Sequence, residues 1–349
     1  MRATDRLAGT LLGTALGDAL GLATEGMSAR AIARRFGRIE RFHLLGRTGF
    51  VSDDTEQAAL VAQSLARHPD DAEACANDFR RALLGWFCRL PWGIGRATVS
   101  ACIRIALGRR PSGVRSAGNG AAMRAAIIGV FFRDEAEKRA QFGRAIAEVT
   151  HRDERAVEGA LFAAEMAAAC AHRAPALNGF STETLIGCYD EARRIVRGSS
   201  LRAAIEGAGE LAAQCADTPK AAEELKTSGF ILHTIPFAVF CFLRYGNEPL
   251  RALGVPIRAG GDTDSIAAIL GAWLGALHGE AGLPVELLEK IHDGPFGPSH
   301  LRALARCLAR IREGQPVPVP GYSAPAALLR NLALWPVILA HGLRRVLPF

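Results

Sequence analysis

A chain of 349 residues with 49% hydrophobic and 22% charged residues is long enough to bury a sizeable core and has an ordinary globular composition. The formal charge of +7 rests on arginine, since only Lys138, Lys220, Lys226 and Lys290 are lysines among 42 basic residues. That surplus suits a phosphate-bearing partner, but no basic run of five or more exists, so nucleic acid is not expected as an obligate partner. The 8 cysteines lie in apolar stretches without a CxxC pair, which argues against a zinc knuckle or disulfide scaffold and for reduced, buried thiols in a cytoplasm.

In chain order, Arg2 and Arg6 precede an apolar run, residues 7–23, that superficially resembles a secretory signal. Asp18 interrupts the run and glycines dilute it, so a mature cytoplasmic segment is expected instead. No other window reaches the ~20 uninterrupted apolar residues of a membrane span. Gly9, Gly13, Gly17 and Gly21 recur every four residues and on a helix would form one smooth face for close backbone approach. Asp18 and Glu25 are the polar exceptions, with Glu25 where that helix should end.

Next comes Ser52-Asp53-Asp54-Thr55-Glu56, directly ahead of an apolar helical segment. It admits two readings. Asp53-x-x-Glu56 fits a capping box, and acids in a first turn complement the helix dipole. Two carboxylates and a hydroxyl also suit a hard divalent cation. Residues 58–66, 72–84, 140–149, 155–171, 184–194 and 201–215 carry apolar positions at three- and four-residue spacing, while β-branched alternation is nearly confined to Phe50-Val51. The expected fold is therefore all-α.

Glycine and proline clusters at 90–95, 108–120, 174–180, 254–261 and 294–298 should punctuate the helices. Within them, Ser116-Ala117-Gly118-Asn119-Gly120, continued by Met123, reads as a glycine-rich turn. It either exposes backbone N–H groups to a phosphate or is simply a turn. His151 either contacts a ligand or merely opens a helix. Gly260-Gly261-Asp262-Thr263-Asp264-Ser265 repeats the acid-rich helix start ahead of residues 266–277. Two such starts would repel each other if they met, unless cations neutralised them. Finally, Pro316, Pro318, Pro320 and Pro325 forbid helix over 314–325. That divides residues 1–315 from a proline-rich linker and an amphipathic helix within 316–349, which either packs back on the body or lies on a membrane or partner.

The order GxxxGDALG with a following Glu, SDDT, GNGAAMR, TH and GGDTDS, over about residues 5–300, resembles the ADP-ribosylglycohydrolase family. The resemblance implies a compact multi-helix bundle with a binuclear Mg²⁺ or Mn²⁺ cleft. It implies metal ligation by Ser52, Asp53, Asp54, Asp262, Asp264 and Ser265, and places catalytic carboxylates at Glu25, Asp54 and Asp264. Ser116, Gly118, Asn119, Gly120, Met123 and His151 are implied to hold substrate. The implied reaction is hydrolysis at C1″ of an ADP-ribosylated protein or small ADP-ribosyl compound, by a monomer; the alternative is a non-catalytic ADP-ribose-binding or structural relative. One departure stands out: Gly93 occupies a position where many members carry an acid.

Overall fold

Four glycines decide how the molecule is assembled. A computed structural model describes residues 3–174 and 179–346. The first helices are α1 (Ala3–Gly21), α2 (Ala29–Phe36), α3 (Asp53–Arg67), α4 (Ala72–Phe87) and α5 (Arg96–Ala106). A 3₁₀ turn at Asn119–Arg124 leads into α6 (Ala126–Phe131), α7 (Ala136–Glu148) and α8 (Glu154–His172). Then follow α9 (Thr182–Ala192), α10 (Ser199–Ala213), α11 (Thr218–Leu225), α12 (Ile231–Tyr245) and α13 (Pro249–Ala259). The chain closes with α14 (Thr263–His278), α15 (Val285–Leu288), α16 (Pro298–Arg312) and α17 (Ala324–Val346). Among the described residues the only β features are isolated bridges, so the fold is all-α as the residue pattern predicts.

The smooth face of α1 packs directly on α14. A Cβ added at Gly13 would lie 2.0 Å from Gly271 O, one at Gly17 2.0 Å from Ala267 O, and one at Gly9 2.3 Å from Gly275 O. Gly271 and Gly275 reciprocate against the carbonyls of Gly13 and Gly9. Only backbone fits between the two helices, and dispersion contacts along this seam replace interdigitating side chains. The seam runs antiparallel, with Gly21 against Thr263 and Asp264, so the end of α1 meets the acid-rich start of α14. Residues 6–24 of the N-terminal apolar stretch are all buried in the fold.

Local signals account for many helix starts. Asp71, Asp153 and Asp217 cap α4, α8 and α11 by accepting from Ala74 N, Arg155 N and Lys220 N. The expected break at 254–261 is corrected: α13 continues through Gly254 and Pro256 to Ala259. Residues 252–257 are all buried, and that burial outweighs their poor helix propensity. Of the cluster expected at 174–180, residues 175–178 lie outside the described residues, as do Arg2 and residue 347 of the terminal segment. The thiols are free, but Cys88 and Cys215 are exposed, so burial of all eight is corrected. Both sit at the C-terminal edge of a helix, where the chain turns outward.

The tail packs back on the body. On α17, Ala327, Asn331 and Leu334 are buried, while Leu329, Leu332, Leu339 and Leu343 face outward. By length and composition 324–343 matches a bilayer span, yet it is folded against the loops around residues 22–23, 44 and 92.

Candidate active site: two acid-rich helix starts on one cleft

The acidic start of α3 is capped from outside. Asp18, on the last turns of α1, accepts through Oδ2 from Ser52 N at 2.8 Å, Thr55 N at 3.2 Å and Thr55 Oγ1 at 2.5 Å. The capping box expected from Asp53 and Glu56 is therefore not formed. Glu56 turns the other way, accepting from Trp86 Nε1 at 2.5 Å and ion-pairing with Arg330. With capping assigned to Asp18, the carboxylates of Asp53 and Asp54 are released for other work. Asp53 accepts from Gln57 Nε2 at 3.2 Å, and Asp54 Oδ2 accepts from Ser52 Oγ at 3.4 Å.

The second cluster reaches the first. Ser265 Oγ donates to Asp54 Oδ2 at 3.2 Å across the gap between α14 and α3. Asp262 is held by Asn119 Nδ2, which donates to its Oδ2 at 2.6 Å, and its own N–H donates to Thr227 O at 2.7 Å. Gly261, with φ +84°, makes that turn, and its Cβ position would lie 2.1 Å from Thr227 O. Gly26 N donates to Gly261 O at 2.7 Å and Gly261 N to Met27 O at 2.9 Å, which ties the Glu25 loop to the same turn.

Together these elements border a cleft of about 510 Å³, within the range of small-molecule sites. Of the residues singled out in the sequence, Glu25, Asp53, Asp262, Asp264, Ser265, Ser116, Gly118, Asn119, Gly120, Met123 and His151 line it. Ser52 and Asp54 lie behind that lining, each about 1% exposed. Arg96, Thr98, Ser228 and Gly229 also line the cleft, with no motif in the sequence to mark them. Asp18 stands out in the sequence only as a polar exception in an apolar run. The loop at 227–229 carries no signal beyond a lone glycine, yet a Cβ at Gly229 would press to 2.8 Å from Asp262 Oδ2.

Burial and crowding define the electrostatics. Asp53, Asp54 and Asp264 are held well above the ordinary carboxylate range, first by desolvation and then by one another and by Glu25 and Asp18. Asp262 is raised by burial too, and Asp18 is pushed up to about 6 by desolvation against its hydrogen bonds. Asp18 Oδ1 and Asp54 Oδ1 are buried without a hydrogen-bond partner among the described residues. Such orphaned, mutually repelling oxygens fit a hard divalent cation. The side chains stand in a hydrogen-bonded arrangement, however: among the described residues no three His, Cys, Asp or Glu groups are already disposed as a ligand set.

Opposite in charge is Arg124, fully buried and, among the described residues, without a carboxylate on its guanidinium. It donates to Gln57 Oε1 at 2.8 Å, Gly120 O at 2.6 Å and Thr150 Oγ1 at 2.5 Å, pinning the 116–124 turn to α3 and to the residue before His151. Burial lowers its pKa to about 9, with Asp53 opposing. Burial, then Arg124, lowers His151 to about 3, so the imidazole is neutral near pH 7. Thr150 Oγ1 accepts from Arg124 and lies 2.8 Å from His151 Nδ1, the acceptor open to its proton. That leaves Nε2–H pointing to the cleft, 3.4 Å from where a Gly118 Cβ would be.

Gly93 lies where the departure noted in the sequence becomes spatial. It has φ +81°, lines the cleft, and a Cβ there would be 2.8 Å from Asp53 Oδ1. No side chain fits this backbone without strain, so no acid is supplied from residue 93.

Comparison with known proteins agrees with the motif order. The ADP-ribosylglycohydrolase family model matches residues 1–317. An uncharacterised protein of Archaeoglobus fulgidus is 31% identical over 79% of this chain and 88% of its own length. The ADP-ribosylhydrolase ARH3 of Bos taurus is 29% identical over 50% of this chain and 53% of its own, so about half of that relative is spanned. The ADP-ribosylarginine hydrolase Tri1 of Pseudomonas putida is 28% identical over 69% of this chain and 62% of its own. A solved structure titled ADP-ribosylglycohydrolase-related protein complex superposes with TM-score 0.68 at 26% identity, over 89% of this chain and 99% of that one. The chain belongs to the ADP-ribosylglycohydrolase family, and hydrolysis of ADP-ribosyl compounds is the activity that membership supports.

Proposed function

We propose that the cleft hydrolyses the C1″ glycosidic bond of an ADP-ribosylated protein or small ADP-ribosyl compound, using two divalent cations, Mg²⁺ or Mn²⁺, in a cytoplasmic monomer. The observation that carries this reading is the meeting of the two acid clusters, bridged from Ser265 to Asp54, with Asp18 Oδ1 and Asp54 Oδ1 buried and, among the described residues, unpartnered. Ser52, Asp53, Asp54, Asp262, Asp264 and Ser265 are the proposed ligands, after Ser265 and Asn119 release their present hydrogen bonds. When bound, the cations would neutralise this acid cluster and lower the pKa of a water to near neutrality.

The chain's own groups divide the remaining work. Ser116, Gly118, Asn119, Gly120 and Met123 receive the diphosphate and distal ribose, and His151 offers its Nε2–H to a ligand oxygen. Asp264, on the lining, stabilises positive charge developing at C1″, while Asp54, behind the lining, would act through the cations it holds rather than on the substrate directly. Glu25, at the cleft and held beside Gly261, orients the attacking water. With glycine at 93, that role falls to Glu25, or the acceptor differs from that of relatives carrying an acid there.

The test is turnover of arginine-linked and serine-linked ADP-ribosyl peptides with Mg²⁺ or Mn²⁺, comparing wild type, Asp53→Asn and Asp264→Asn. A drop of at least about 100-fold in both variants is expected, the scale on which displacing groups at a reacting centre acts. Undiminished turnover in both would overturn the metal site. ADP-ribose binding without turnover on any linkage would make the chain a binding protein instead.

A further inference from the structure

We propose that α17 is a positioning element for the cleft, with Arg330, Asn331 and Trp335 as its positioning residues. This rests on the hydrolase reading above, but it concerns a segment that begins beyond residue 317, where the family match ends. The loop between α4 and α5 passes Gly93 against Asp53, supplies Gly95 to the cleft and leads into the first turn of α5, which supplies Arg96 and Thr98. Near its start the loop holds Leu90 at φ 55°, a left-handed conformation that a leucine adopts only when its surroundings impose it.

The surroundings are α17. Asn331 Nδ2 donates to Arg89 O at 2.9 Å, and Trp335 Nε1 donates to Leu90 O at 3.0 Å, so two successive carbonyls beyond the end of α4 are taken by one helix. Leu334 packs with Trp92 on the same loop, and also with Leu22 and Ala23, just ahead of Glu25. Arg330 orders the group: it donates to Asn331 Oδ1 at 2.8 Å and to Pro295 O at 2.8 Å, and it ion-pairs with Glu56, two residues after Asp54. A chain of contacts thus runs from α3, which carries the acids, through α17 to the glycine loop, whose own position 93 bears no side chain to hold it. The tail fixes from behind what residue 93 leaves unfixed from within, and the loop that carries Glu25 rests on the same apolar cluster.

The experiment uses the full chain with Asn331→Leu and Trp335→Phe combined, which removes two donors and keeps the bulk of the helix. Hydrogen exchange should show the hydrogen-bonded amides at the two ends of this loop, Arg89, Leu90 and Val99, deprotected by about tenfold while 116–124 keep their protection. Turnover of ADP-ribosylated peptide should fall about tenfold in kcat/KM with ADP-ribose Kd within twofold. Arg330→Lys should retain more turnover than Arg330→Met, because a cation still faces Glu56. Unchanged exchange at Arg89, Leu90 and Val99 would overturn the proposal, as would parallel loss of protection at 116–124 and of ADP-ribose affinity, the mark of general loosening. Should the wild type turn over no linkage, the hydrolase reading fails by itself, and the exchange pattern still decides whether α17 holds the loop.

Discussion

The starts of α3 and α14 look alike in sequence and are built differently. Each has two aspartates, a serine and a threonine within a few residues. At α3 the orphan N–H groups go to Asp18, a carboxylate from another helix, and Ser52 and Asp54 are sealed behind the cleft wall. At α14 the turn is held by backbone, through Thr227 O and the paired Gly26 and Gly261, so Asp262, Asp264 and Ser265 remain on the lining. At α3 Asp53 alone of the four reaches the lining; at α14 both aspartates and the serine do. What joins them is the α1–α14 seam, because Asp18 and the turn at Gly21 ride on the same helix.

That account can be broken first at the seam. Gly17→Val places side-chain atoms where a Cβ alone would be 2.0 Å from Ala267 O. The helices would have to part, and a loss of about 3 kcal/mol or more is expected, read as a lowered denaturant midpoint. Gly46→Ala, by contrast, meets nothing within 4 Å and should cost only the strain of its positive φ, of order 1 kcal/mol. Equal effects would show that the seam does not assemble the site.

Next comes the external cap. Asp18→Ala removes an acceptor serving three donors at the start of α3 and should cost about 2 kcal/mol. Asp18→Asn keeps an acceptor oxygen but drops the charge, so it should recover most of that stability while weakening Mg²⁺ or Mn²⁺ binding in calorimetry. Recovery of both would limit Asp18 to capping.

The smallest effect sharpens the electrostatic contrast. With cations chelated, the folded chain binds protons at Asp18, raised to about 6, and at Asp53, Asp54 and Asp264 more tightly than the unfolded chain, so this cluster's contribution to stability declines as pH rises above the ordinary aspartate value near 4. His151, lowered to about 3, works the other way: its contribution is lost as pH falls below about 6.5. Thermal melts of wild type and Asp54→Asn therefore need comparison across pH 5 to 8, roughly the window these shifts define. The variant's advantage should grow with pH in chelator and vanish in saturating Mg²⁺; a pH-independent difference would contradict it.

Much of this was legible in the residues, for identifiable reasons. Four-residue glycine spacing has one helical meaning, close backbone approach, and the seam has that form. The acid clusters were visible because carboxylates grouped at a helix start have two uses, capping the helix or holding a cation. What they did locally was misjudged: the capping box is the nearest solution in sequence, whereas the cap comes from 34 residues upstream. Glycines that exist to make room were the hardest to read. Gly229 and Gly93 are defined by a carboxylate pressed against them, and nothing in their own neighbourhoods announces it. The contacts of α17 are likewise long-range, joining residues 242 apart from Asn331 to Arg89.

The central claim, that both helix starts form one cation-dependent hydrolytic site, is tested most directly by chelating the wild-type protein and titrating Mg²⁺ or Mn²⁺ back while following release of ADP-ribose from ADP-ribosylated peptide. The account predicts loss of turnover on chelation, full recovery on titration, and no recovery in Asp264→Asn at the same cation concentration. Turnover that persists in excess chelator, with wild type and Asp264→Asn alike, would contradict it.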